Sequence, residues 1–177
     1  MDLKQLIERT LKHEGGFQNN PKDSGNWTGG KIGLGINKGT NFGISAARYP
    51  LLDIRNLTRE QAVEIYIRDY YEPLKMSEIK SVRVQWKLFD IGVNMGTDDP
   101  PKIVRSALKD TGYITGDGLE YLRVNDAIAF MGEGAFLREL AEWQMKKYVS
   151  FVTKDPVKLE FLPHWTIRAF DIGDGLT

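Results

Sequence analysis

Apolar positions recur at helical spacing at the start of the chain. Leu3, Leu6, Ile7, Thr10 and Leu11 share one face, which predicts an amphipathic helix over residues 3–13. Asp2, with Gln5 three positions on, offers a capping box, and Gly15-Gly16 supplies an ending signal. The pattern then changes. Residues 15–45 hold nine of the eighteen glycines, so this stretch is built of turns. Within it Ile32, Leu34 and Ile36 alternate with Lys31, Gly33 and Gly35 as in a strand. Asn37-Lys38-Gly39 reads as a turn, and Thr40 to Ile44 as a returning strand.

Helical periodicity dominates the remainder. Thr58 with Gln61 forms a capping box for a helix running to about Tyr71, before Pro73. Val84, Leu88, Ile91 and Met95 mark a helix over 82–95, and Asp99-Pro100-Pro101 opens the next. Thr111 to Gly118 reads as a loop. Residues 119–131 and 135–153 read as two helices separated by Gly132 and Gly134. Asp155-Pro156 caps a short helix, and Pro163 precedes a last one. The expected fold class is mainly α with a small β-hairpin. The expected organisation is residues 1–96 followed by residues 97–177, packed as one globular unit.

Composition narrows the chemistry. Of 177 residues, 41% are apolar and 27% charged, enough to bury a core without staples. There is no cysteine, which excludes disulfides, thiolate catalysis and cysteine metal sites. The two histidines, His13 and His164, stand far apart and read as structural, so no metal or other cofactor is expected. Net charge is zero, which gives no footprint for nucleic acid. Residues 1–50 carry seven basic against four acidic side chains, a slight bias toward an anionic polymer. The opening residues lack the apolar run of a signal peptide, and no stretch is apolar enough to span a membrane. The expectation is synthesis in the cytoplasm.

Candidate chemistry gathers near the N-terminus. Glu14 ends the first helix, Asp23 lies nine positions on in the glycine-rich loop, and Thr28 follows five later. Glycosidic hydrolysis commonly needs a protonated acid for the leaving oxygen and a second group to handle water. The negative end of a helix dipole favours the protonated form of Glu14, while Asp23 sits among polar residues and stays ionised. The same residues also compose a solvated helix end and ordinary turn caps, and spacing leaves both readings open. A phosphate-loop reading of the glycines fails, because no Gly-Lys-Ser/Thr ending follows them. Trp27 in the loop, and Tyr66, Tyr70 and Tyr71 in one helix, could stack on sugars; a helical stripe of aromatics is also a common core.

Longer motifs go further. Glu14-Gly15-Gly16-Phe17, Asn20-Pro21, Asp23, Gly25, Trp27-Thr28 and Thr40-Asn41-Phe42-Gly43-Ile44-Ser45 resemble the signature of glycoside hydrolase family 108. The resemblance implies a lysozyme-like α+β fold and an N-acetylmuramidase, of the kind found in phage endolysins and secretion-associated bacterial proteins. The substrate it implies is the peptidoglycan glycan strand. It places the proton donor on Glu14. The order Glu, Asp, Thr also resembles phage-type lysozymes, where the Asp and Thr hold water, although Thr28 comes one residue early. Phe89-Asp90-Ile91-Gly92-Val93-Asn94-Met95-Gly96 resembles a cleft-lining helix end. Phe42, Asp90 and Asn94 fall in these motifs, and with Trp27 and Tyr70 they are the expected substrate contacts; Asp90 could instead support such a contact from behind or serve as a third catalytic carboxylate. From there to Arg168 the chain resembles the family's peptidoglycan-binding region, at Asp117-Gly118, Tyr148, Phe161, Trp165 and Arg168, while Pro163-His164 stands where the family often has Gly. The implied place of action is the periplasm or cell wall, reached through a holin or a secretion system. Two alternatives are a lytic transglycosylase and a non-catalytic wall-binding or secretion-accessory module.

Overall fold

The computed structural model describes residues 3–11, 14–112 and 123–175. Asp2, His13 and Asp117-Gly118 lie outside them. The chain divides into two compact units, residues 2–68 and residues 69–177. The division falls at Arg68–Asp69.

In the first unit, α1 (Leu3–Leu11) buries Leu6, Ile7, Thr10 and Leu11, as its periodicity predicts. It packs on α2 (Arg59–Tyr66), where Arg59 Nε donates to Glu8 Oε2 at 2.6 Å. The Thr58–Gln61 capping box forms in both directions, at 3.2 and 2.9 Å. The helix keeps α geometry to Tyr66 and then continues as a π turn, Ile67–Tyr71.

The hairpin is not where the alternation of Ile32, Leu34 and Ile36 places it. Those side chains are exposed, and Gly33 and Gly35 take positive φ, so the segment folds into turns. The sheet is β1 (Thr40–Asn41) paired antiparallel with β2 (Ile44–Ser45), with Thr40 opposite Ser45. Phe42 and Gly43 form its two-residue turn with φ of 50° and 74°, the double positive φ that favours such loops. A bulky residue in this region costs roughly 1–2 kcal/mol. Two contacts hold it: Phe42 N–H donates to the Gly15 carbonyl at 3.1 Å, and the Tyr66 hydroxyl donates to the Phe42 carbonyl at 2.8 Å.

The second unit is helical among its described residues. α3 (Val82–Met95) and α4 (Asp99–Asp110) match the predicted spans. They pack on each other across Gly96–Pro101. After α5 (Arg123–Met131), Gly132 alone breaks the chain, and α6 (Glu133–Lys154) carries Gly134 inside it. A 3₁₀ segment, Pro156–Phe161, leads into α7 (Leu162–Phe170). α6 packs against α3, α4, α5 and α7.

α3 is buried on more than the single apolar face its sequence shows. Lys87 and Asp90 are both fully buried. Asp90 forms a two-pronged ion pair with Arg168, Nε to Oδ2 and Nη2 to Oδ1, each 2.9 Å. The Lys87 ammonium donates to the carbonyls of Arg168 and Asp171 at 3.2 and 3.1 Å, and to that of Ala169. A cation thus caps the negative end of α7. Burial pushes the Lys87 pKa down from 10.5 to about 8, against the opposing pull of the Asp90 and Asp171 charges.

Above about pH 8 folded Lys87 gives up a proton that the unfolded chain keeps until about pH 10.5. The unfolded state then binds more protons, so the Lys87 contribution to stability rises with pH across that window and is flat outside it. Denaturant melts should show the parent gaining on Lys87→Met between pH 8 and 10.5, by at most about 1.4 kcal/mol per pH unit. A pH-independent difference would contradict this account of Lys87.

Candidate active site

Glu14 follows the end of α1, its N–H donating to the Leu11 carbonyl at 3.3 Å. The next residues run beside β1. Gly15 O accepts from Phe42 N–H, and Gln18 and Thr40 exchange backbone bonds at 2.8 Å in both directions. This pairing sets the half-buried Glu14 side chain against the hairpin turn. A Cβ built on Gly43 would stand 2.6 Å from Glu14 Oε2 and 2.6 Å from the Tyr66 hydroxyl. The carboxylate and the phenol oxygen therefore crowd one face of Gly43, where no side chain fits.

Asp23 is exposed and caps the 3₁₀ turn Ser24–Asn26. Its Oδ1 accepts from Gly25 N–H at 2.8 Å and its Oδ2 from Gln18 Nε2 at 2.9 Å. A carboxylate has about four acceptor positions, so both oxygens can still accept from water. Gln18 connects the two carboxylate segments: its backbone pairs with β1 while its side chain holds Asp23.

Beneath this turn lies Asn26, fully buried. Its Nδ2 donates to Gln18 Oε1 at 2.8 Å and to the Asn20 carbonyl at 3.0 Å. Its Oδ1 accepts from Thr40 Oγ1 at 2.7 Å and from Gln18 Nε2 at 3.1 Å. Every donor and acceptor of the amide is used. Sequence reasoning singled out neither Gln18 nor Asn26, and it took Tyr66 only as a possible sugar contact. The available signal was a cluster of amide side chains, Gln18, Asn19, Asn20 and Asn26, in a loop poor in apolar residues.

Thr28, expected beside Asp23 as a water holder, clasps the loop: its hydroxyl accepts from Ile36 N–H at 2.9 Å. Trp27 is half-buried and donates its indole N–H to the Pro21 carbonyl at 3.0 Å. Phe42 is half-buried in the strained turn.

The other expected contacts belong to the second unit. Asp90, expected as a substrate contact, is fully buried and both its oxygens are engaged by Arg168. Tyr70, also expected as a contact, has its side chain buried in the π turn. Asn94, near the end of α3, is half-buried. Its Oδ1 accepts from the Tyr148 hydroxyl at 2.7 Å, which itself accepts from Gln144 Nε2 at 3.0 Å. These bonds fix the amide so that its NH₂ is the end left to donate. Tyr148 stacks on Trp165 with ring centroids 4.8 Å apart, and Phe161 adjoins the same indole at 5.9 Å. Among the described residues, no group of acidic or histidine side chains could hold a metal ion, and no helix is long and apolar enough to cross a membrane.

Two concave patches within residues 2–68, of ≈ 510 and ≈ 340 Å³, have linings that include neither Glu14 nor Asp23.

No curated protein matches the chain. The solved structure of Brucella abortus SagA is similar at a TM-score of 0.67 and 18% identity, covering 96% of this chain and 90% of that one. At that identity the likeness is one of fold. The model of the family Glycosyl hydrolase 108 matches residues 7–96, a span that holds Glu14, Asp23 and the Phe42–Gly43 turn. The chain belongs to glycosyl hydrolase family 108, a family of glycosidases.

Proposed function

We propose that this glycosidase hydrolyses the β-1,4 bond between N-acetylmuramic acid and N-acetylglucosamine in peptidoglycan. The observation that carries the reading is a pair of carboxylates in unlike surroundings within the family-matched region. Glu14 is half-buried against the Phe42–Gly43 turn and the Tyr66 hydroxyl. Asp23 is exposed in a polar turn with acceptor capacity to spare. Such asymmetry suits one acid and one base.

In this reading protonated Glu14 donates to the leaving glycosidic oxygen as its bond to the anomeric carbon breaks. Asp23 accepts a proton from the water that attacks the opposite face. Trp27 and Phe42 offer partly exposed rings for sugar faces, and Asn94 offers an amide donor to an N-acetyl or hydroxyl oxygen. The Tyr148–Trp165–Phe161 aromatic group is the proposed wall-binding element of the second unit. The proposed place of action is the periplasm or cell wall, reached through a holin or secretion system.

Glu14→Gln keeps the shape and cannot supply the proton. Clearance of a wall suspension should fall at least about a hundredfold, with binding to the wall retained. A variant that clears at nearly the parent rate would remove Glu14 from its role.

Water held by Asp23 implies inversion. NMR of the first-formed product should show the α anomer from the β bond. A first-formed β anomer would make Asp23 a nucleophile or a bystander.

A further inference from the structure

Tyr66 is the last residue of α2 and is 2% exposed. A buried phenol needs a partner for its oxygen, and this one donates to the Phe42 carbonyl at 2.8 Å. The same oxygen stands 2.6 Å from the point that a Cβ on Gly43 would occupy, and Glu14 Oε2 stands 2.6 Å from that point too. Carboxyl and phenol thus meet beside the bare α-carbon of Gly43. The turn is held there from both ends, by Phe42 N–H on the Gly15 carbonyl at 3.1 Å and by the Tyr66 hydroxyl itself. Gly43 is exposed, so the meeting point opens to the surface.

An acid that delivers its proton changes charge, and its neighbours must answer that change. In the reaction proposed above the Glu14 O–H bond breaks, the proton passes to the glycosidic oxygen, and the electron pair stays on the carboxylate. A phenol has one proton and two acceptor lone pairs, and its O–H turns about the C–O bond to suit its surroundings. Turned one way it serves the Phe42 carbonyl, and turned the other way it serves Glu14 Oε2. A hydrogen bond to a charged oxygen is roughly twice as strong as one to a neutral carbonyl. The developing carboxylate therefore draws the O–H from Phe42 to Glu14, while Tyr66 keeps its own proton throughout.

We propose that Tyr66 is a positioning residue for Glu14, its hydroxyl turning from the Phe42 carbonyl to the carboxylate as the acid gives up its proton. The proposal rests on the reading of Glu14 as the proton donor. A bond that strengthens only as charge develops acts on kcat and not on substrate binding. Tyr66→Phe keeps the ring and removes the hydroxyl. On solubilised peptidoglycan its kcat should fall about tenfold or more, as loss of a bond to a charged group predicts, with KM unchanged. A role confined to bracing the turn would also slow the enzyme, and the Glu14→Gln background separates the two. No carboxylate forms there, so adding Tyr66→Phe should alter the residual rate by less than about twofold. Fluorotyrosine at position 66 keeps the phenol as a stronger donor and should retain at least the parent kcat. Equal fractional losses in both backgrounds, or a loss with fluorotyrosine like that with Phe, would overturn the proposal. A parent-like Tyr66→Phe beside a disabled Glu14→Gln would refute it alone, whereas a Glu14→Gln chain as fast as the parent would refute the reading of Glu14 and the proposal with it.

Discussion

A buried amide can join segments that no backbone ladder reaches, and Asn26 does this for the loop that carries the site. It ties Gln18, Asn20 and Thr40 together through four side-chain bonds. Its carbonyl also accepts from the N–H groups of Lys38 and Gly39. Each such bond contributes about 1 kcal/mol net, and a buried polar group left unpaired costs about 1–3 kcal/mol. The arrangement is therefore favourable only when complete. Completing it fixes Gln18, and Gln18 in turn sets both carboxylate segments: its backbone aligns the chain after Glu14 with β1, and its side chain holds Asp23. The geometry of the proposed site, carried by a loop rich in glycine, thus depends on side-chain amides.

The hairpin turn adds a second constraint. Phe42 occupies a left-handed conformation, braced from Gly15 and from Tyr66. Strain of this kind persists where the surroundings over-determine it, commonly at functional sites. Here it brings Gly43, the one residue type that fits, up to Glu14 and Tyr66. The second unit solves a different problem. Asp90, Lys87 and Arg168 carry charge into a helical core, and α7 docks on α3 through them. Removing one member of such a buried pair costs about 3–5 kcal/mol, so these residues are expected to be intolerant of change without touching substrate.

What the sequence revealed follows from the range of each interaction. The Thr58–Gln61 box, the span 82–95 and the Asp99-Pro100-Pro101 start were legible because caps and periodicity are local. So were Glu14 and Asp23 as a pair of carboxylates, and the fold class as mainly helical with a hairpin. The hairpin's register was not, because Ile32, Leu34 and Ile36 imitate a strand while glycines turn the chain between them, and Phe42 is not a residue expected at positive φ. Asp90 looked available to substrate because its partner lies 78 positions away. The bond from Ile36 to Thr28 was not legible, because it closes a loop no spacing rule describes. Asn26 and Gln18 were invisible for a related reason: an amide becomes a hub only when folding surrounds it.

The central claim is that Glu14 and Asp23 together hydrolyse the wall glycan at muramic acid. Mass spectrometry of fragments released from purified peptidoglycan tests it most directly. Hydrolysis predicts fragments ending in reducing N-acetylmuramic acid, with one water added per bond cleaved. Fragments ending in 1,6-anhydro-muramic acid would contradict the role of Asp23 and its water, and the absence of any released fragment would contradict the reaction itself.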